Sequence, residues 1–172
     1  HRARIAHNAP RPILHALAFG CQALKPAAAK HQLHDYAVGI DEAVRHLVSL
    51  GHKRIVHIAG SHEIHSAVVR QQAFIDSMKR HLPGEPEPKI FEGDFRFEGG
   101  RLAASRMLAE KRRPTAVVVA NDLMALGAMQ ELKAAGLRVP QDMSIVGFDD
   151  ISFASLSEPA LTTVCSPRLE IG

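Results

Sequence analysis

The chain has 172 residues, 46% of them hydrophobic, with 21 Lys+Arg against 18 Asp+Glu. At that length a chain buries roughly 70% of its unfolded surface without disulfide or metal support, so a wholly disordered protein is excluded. Two cysteines, Cys21 and Cys165, are too few for a disulfide framework and fit a reducing, cytoplasmic setting, and no apolar run of about 18 residues exists to span a membrane. The formal charge of +3 is uneven: residues 1–35 carry +4 and the remaining 137 carry −1, so the body lacks the clustered basic face that nucleic-acid binding needs.

Residues 1–34 hold five of the eleven histidines and show no capped helical pattern. They are expected to be a poorly ordered basic segment. From Asp35 the text becomes regular. Ile40, Ala43, Val44, Leu47 and Val48 form a helical stripe closed by Gly51. A strand is predicted over 54–59, then a helix from an N-cap at Ser66 to residue 81, stopped by Pro83-Gly84. A short strand over 89–93 precedes a helix over 97–110, whose opening turn contains Gly99 and Gly100. The run 115–120 reads as a strand covered on both faces. A helix over 122–135 closed by Gly136, a strand over 144–148, a short turn over 151–156 and an extended piece over 161–164 complete the pattern. Strands and helices alternating in this way predict a doubly wound parallel α/β sheet in three layers.

In such a sheet ligands bind beyond the carboxyl ends of the strands, where loops and helix N-termini converge. The first strand is followed by residues 60–66, with Arg70 one turn into the helix. The second is followed by Gly93-Asp94-Phe95, the third by Asn121-Asp122, and the fourth by Asp149-Asp150. This is the chemistry of a polyhydroxylated ligand: carboxylates and amides take hydroxyl protons, a guanidinium donates in a planar fork, and an aromatic face covers an apolar ring face. Each residue also has a purely structural reading: Asn121 as an N-cap, Asp149 in an Asx turn, Arg70 on an exposed helix face, Phe95 as a core anchor. Convergence on one edge favours the binding reading.

Other chemistries find no support. His57, His62 and His65 lack the spacing of a zinc helix, and Asp149-Asp150 lacks the lysine that a phosphotransfer site requires. Nucleophile elbows and phosphate-binding glycine loops are absent, and Cys165 has no histidine partner by spacing. Neither an enzyme nor a cofactor or metal site is expected.

The segments Leu50-Gly-His-Lys-Arg-Ile55, Val119-Ala-Asn-Asp-Leu-Met-Ala-Leu-Gly127, Gly136-Leu-Arg-Val-Pro140, Ser144-Ile-Val-Gly-Phe-Asp-Asp150 and Pro159-Ala-Leu-Thr-Thr-Val164 occur in that order. As a set they resemble the LacI/GalR family of bacterial transcriptional repressors. The resemblance implies a periplasmic-binding-protein-like type I lobe that takes a small-molecule effector, often a sugar or nucleobase, in a cleft between two lobes. The matching effector contacts are Arg70, Phe95, Asn121 and Asp149, with Ser66 at the same edge. It also implies a homodimer, with Leu126 and the loop around Leu156 near the interface.

Family members bind operator DNA through a helix-turn-helix headpiece, which this chain does not display. The chain opens on His1 rather than Met and is expected to be a fragment. Residues 35–165 would be the C-terminal lobe, and 166–172 the start of a crossover to an N-terminal lobe. Val68 stands where many relatives carry a second Arg, which suggests a less anionic ligand. The competing classes are a solute-binding component of a sugar transporter and a carboxylate-dependent phosphotransfer domain.

Overall fold

The computed structural model describes residues 29–165, with side chains from Tyr36 onward. Helices and strands alternate as α1 (Ala29–Ser49), β1 (Ile55–Ala59), α2 (His65–His81), β2 (Ile90–Glu92), α3 (Phe97–Leu108), β3 (Ala116–Val119), α4 (Asp122–Ala134), β4 (Ser144–Phe148), α5 (Ser152–Leu156) and β5 (Thr162–Val164). The five strands form one sheet in the order β2-β1-β3-β4-β5, every pair parallel. The doubly wound α/β architecture expected from the sequence is therefore present.

Period-2 alternation assigns the two faces. Ile55, Ala116, Val118, Val146 and Phe148 pack with Ile40, Val44, Leu47, Phe74 and Met78 of α1 and α2. Val56, Ile58, Val117, Val119 and Ile145 pack with Ala103, Met107, Met124, Ala128 and Leu132 of α3 and α4. All four residues of β3 are buried, as a central strand covered on both faces must be. Asp41 ties α1 to α2: its Oδ1 accepts from Ser77 Oγ at 2.6 Å, Arg80 Nη1 at 2.6 Å and His81 Nε2 at 3.0 Å. Partial burial pushes the Asp41 carboxyl upward, but the Ser77 and His81 hydrogen bonds and the His81 and Arg80 charges outweigh it and hold the carboxyl below its usual range.

Three local expectations are corrected. First, α1 begins at Ala29, so the boundary expected at Asp35 falls inside a helix; residues 1–28 and 166–172 lie outside the described residues. Second, Ser66 is not the N-cap of α2. The helix starts at His65, and Ile64 occupies the cap position without a side-chain bond. The preceding turn is closed instead by Ser61, whose carbonyl accepts from Ile64 N at 3.0 Å and whose Oγ accepts from Glu63 N at 3.3 Å. Third, part of the expected 151–156 turn is the helix α5.

Gly100, tolerated by the sequence reading as an opening-turn residue, has a packing reason. A Cβ there would lie 2.1 Å from Met124 O and 2.5 Å from Met124 Cα, so the backbones of α3 and α4 touch at this position. Gly136 contrasts with it: its φ of +77° suits a helix C-terminus, and nothing lies within 4 Å of an added Cβ. Gly100→Ala is expected to destabilise the lobe by about 1–3 kcal/mol through overpacking. Gly136→Ala should cost about 1 kcal/mol through backbone strain alone. Urea denaturation of the two variants checks the ranking.

From β1 the chain moves outward to β2 by α2 and returns past β1 to β3 by α3. The loops after β1 and β3 thus diverge, leaving a crevice at Gly60 and Ala120, which is where this topology places ligands.

Candidate functional site

Arg70 is the centre of the crevice. It lies one turn into α2, only 4% exposed, although its sequence position alone permits a solvent-facing side chain. Its Nη1 donates to the Ala120 carbonyl, and its Nη2 donates to Asp149 Oδ1 at 3.2 Å. The guanidinium sits in the corner of two rings that meet edge to face, their centroids 6.0 Å apart, with Cζ 4.4 Å from the Tyr36 centroid and 4.2 Å from that of Phe148. Its Nε is buried with no hydrogen-bond partner among the described residues. A guanidinium can face both rings and still donate in two directions, which an ammonium's point charge does less well.

Of the other predicted rim residues, Phe95 and Asn121 are joined to each other. Phe95 follows β2 with φ of 65°, its ring resting on Gly60 so closely that a Cβ there would stand 2.2 Å from a ring carbon. Asn121 proves to be both cap and rim. Its Oδ1 accepts from Met124 N at 3.0 Å, and its Nδ2 donates to the Phe95 carbonyl at 3.0 Å, so it starts α4 and fixes the aromatic loop together. The amide has one further N–H. Asp149, with φ of 104°, keeps its side chain 36% exposed at the mouth of the crevice. Ser66 sits half-buried on the same edge, one turn before Arg70.

Leu126 and Leu156 lie elsewhere. Leu126, half-buried on α4, helps line a largely apolar groove of about 430 Å³ with Met129, Leu137, Val139 and Pro159. Leu156 is 77% exposed and Phe153 is 66% exposed, both on α5. This groove is separate from the polar crevice, since none of the rim residues lines it. Gln130, Lys133, Arg138, Gln141, Ser157 and Glu158 also line it, although most of its exposed wall is apolar.

Sequence reasoning did not anticipate the Arg70 supports. Tyr36 is the chain's only tyrosine and precedes the α1 stripe by one turn, a signal too weak to place it on a guanidinium. His57, midway along β1, is fully buried, stacked on Phe74 with ring centroids 5.0 Å apart, its Nδ1–H donating to Val118 O at 2.9 Å. Burial pushes its pKa down to about 4, with the Arg70 charge acting the same way against the Val118 bond, so the ring is neutral at pH 7. Asp122 is also completely buried. Its pKa is pushed up to about 6, chiefly by burial and further by the Asp149 and Asp150 charges, against hydrogen bonds from Thr163 and Ile151. Among the described residues no group of three His, Cys, Asp or Glu side chains is placed to hold a metal ion. None of the described helices is long and apolar enough to cross a membrane.

The fold and rim define a three-layer parallel α/β lobe with polar and aromatic side chains gathered at its topological switch point. Residues 44–172 match the periplasmic binding protein-like domain, and the chain belongs to that family. Its relatives are repressors of the LacI kind. The HTH-type transcriptional repressor CytR of Escherichia coli is 42% identical over 132 residues, which are 76% of this chain and 38% of that protein. The ribose operon repressor of Escherichia coli is 40% identical over 135 residues, 78% of this chain and 41% of the repressor. Among solved structures, the transcriptional regulator CelR–cellobiose complex superposes with a TM-score of 0.73 at 34% identity, covering 77% of this chain and 41% of that one. The Lac repressor bound to ONPG gives 0.70 at 40% identity, covering 74% and 38%. The chain thus spans about two fifths of the length of the curated relatives it matches.

Proposed function

We propose that this lobe senses a small polyhydroxylated effector for a LacI/GalR-type cytoplasmic transcriptional regulator. In that reading the chain from α1 to residue 165 is the C-terminal lobe of the effector-binding core, 166–172 begin the crossover, and operator DNA is held by a headpiece outside the lobe. The observation that carries the proposal is the Arg70–Asp149 pair, buttressed by two aromatic rings at the switch point of the sheet. Asp149 accepts effector hydroxyls, Phe95 covers a ring face, and Asn121 supplies its remaining N–H. Asp149 already balances the Arg70 charge, and Val68 adds none, which supports an uncharged ligand such as a sugar.

The lobe supplies one wall of the cleft. Millimolar D-ribose or cellobiose should therefore leave the Tm of the 172-residue chain almost unchanged. A thermal-shift screen of neutral sugars and nucleosides on the full-length gene product is expected to find a saturable stabilisation, lost in Asp149→Asn. A stabilising ligand that binds Asp149→Asn and the parent equally would refute the site.

Repressor relatives and the apolar groove also support a homodimer built on α4 and α5. Leu126, Phe153 and Leu156 give that face its exposed or partly exposed apolar surface. Leu156→Arg, which is exposed and so costs little stability, should shift a dimer to monomer in sedimentation velocity. Unaltered sedimentation of Leu156→Arg together with Leu126→Arg would place the interface elsewhere.

A further inference from the structure

We propose that Asp122 is a positioning residue of the effector rim: its buried carboxylate, with the Thr163 hydroxyl as go-between, holds the 149–151 corner in the conformation that sets Asp149 against Arg70. The inference deepens the effector reading and takes its functional meaning from it. Its geometry belongs to the ligand-free protein, so the two fail separately.

The corner needs outside support. Asp149 and Asp150 both have positive φ, 104° and 51°; Asp adopts the second readily, but the first is one that a non-glycine residue holds only when its surroundings enforce it. Three successive amides are bonded to other segments: Asp149 N to Val164 O at 2.9 Å, Asp150 N to Thr163 Oγ1 at 3.3 Å, and Ile151 N to Asp122 Oδ2 at 2.9 Å. Thr163 in turn donates its single hydroxyl proton to Asp122 Oδ1 at 2.6 Å, which leaves the hydroxyl only acceptor capacity for Asp150 N. Two of the three anchors thus end on one carboxylate.

Helix capping does not account for this burial. Asn121 already caps α4, and an acid in the first turn can serve the helix from the surface, without the desolvation that Asp122 bears. The fold also makes room for it, since a Cβ on Gly147 of β4 would lie 2.2 Å from Asp122 Oδ1. The charged groups facing Asp122 are Asp149 and Asp150. β5 carries none, α4 has no further ionisable side chain before Glu131, and Arg101 of α3 is engaged with Glu98 and Glu131.

The test is 15N–1H NMR of the ligand-free 172-residue chain. Thr163→Val is expected to displace the amide signals of residues 149–151 and the Arg70 Nε–H signal while those of β1 stay in place, and Thr163→Ser should restore the parent spectrum. In the parent the Ile151 amide should titrate with a midpoint near 6, and Asp122→Asn should abolish that titration. If Asp122→Asn does not fold, the Thr163 pair and the parent titration decide. The proposal is overturned if Thr163→Val leaves the Asp149 and Arg70 signals at their parent positions, if Val and Ser behave alike at Thr163, if the parent Ile151 amide does not titrate, or if its titration persists in Asp122→Asn.

Discussion

Replacing Arg70 by alanine is expected to lower the unfolding free energy by about 2–4 kcal/mol and to abolish effector binding. Removing one partner of a buried ion pair costs about 3–5 kcal/mol when the other charge is stranded. Here Asp149 is 36% exposed, so water recovers part of its loss and the figure must be discounted. Against that discount, the Ala120 carbonyl loses its guanidinium donor, and the Tyr36 and Phe148 rings lose the cation that both face. Arg70→Met separates these contributions. It fills the slot with an apolar chain and removes the unpaired Nε, so it should be less destabilising than alanine while binding no more effector. Arg70→Lys keeps the charge but not the fork, and should recover stability better than affinity. Urea denaturation with a common m-value, paired with ligand titration, reads both quantities. An alanine variant within about 0.5 kcal/mol of the parent would mean that Arg70 behaves as an ordinary surface residue.

The rim was legible because strand ends obey a topological rule. Once Ser144–Phe148 was recognised as a strand, Asp149 had to stand at its carboxyl end, and the structure reproduces that strand residue for residue. Ser66 shows the limit of local signals. A serine beside a helix start is a good cap, but the turn closed by Ser61 puts the N-cap two residues earlier, at Ile64. The surroundings of Arg70 were out of reach for another reason. Its helix position is compatible with several orientations, and what selects one is an aromatic slot assembled from α1 and β4, 34 and 78 positions away in the chain. Asp122 stands in the sequence beside Asn121 on the rim and as the first residue of the helix over 122–135, and α4 does begin there. That its carboxylate faces inward depends on Gly147 and Thr163, and no periodicity in α4 reports them.

The same two buried groups that escaped the sequence should govern the response of stability to pH. His57 has an ordinary value of 6.5 and a folded value of about 4. Below pH 6.5 the unfolded chain therefore takes a proton that the folded chain refuses, and stability falls as pH drops toward 4. Asp122 works in reverse. Its ordinary value is 3.8 and its folded value about 6, so between these the folded chain holds the extra proton and stability falls as pH rises. Each effect amounts to about 3 kcal/mol over its range. Between pH 4 and 6 the two slopes have opposite sign and nearly cancel. The parent should therefore show only a shallow rise with pH, due to His46 and His52, which burial also holds below 6.5. Asp41 and Asp142, held below 3.8, act under this window: they stabilise above it and lose that contribution as pH falls further. Removing either buried group exposes the other. Asp122→Asn should give a curve that climbs steeply from pH 4 to 6.5, whereas His57→Asn, which retains an amide donor for Val118 O, should give one that declines from pH 4 to 6. The slopes, rather than the absolute stabilities, carry the prediction, because both variants also lose packing or hydrogen bonds at every pH. Urea midpoints collected across that range would contradict it if the parent and both variants ran parallel.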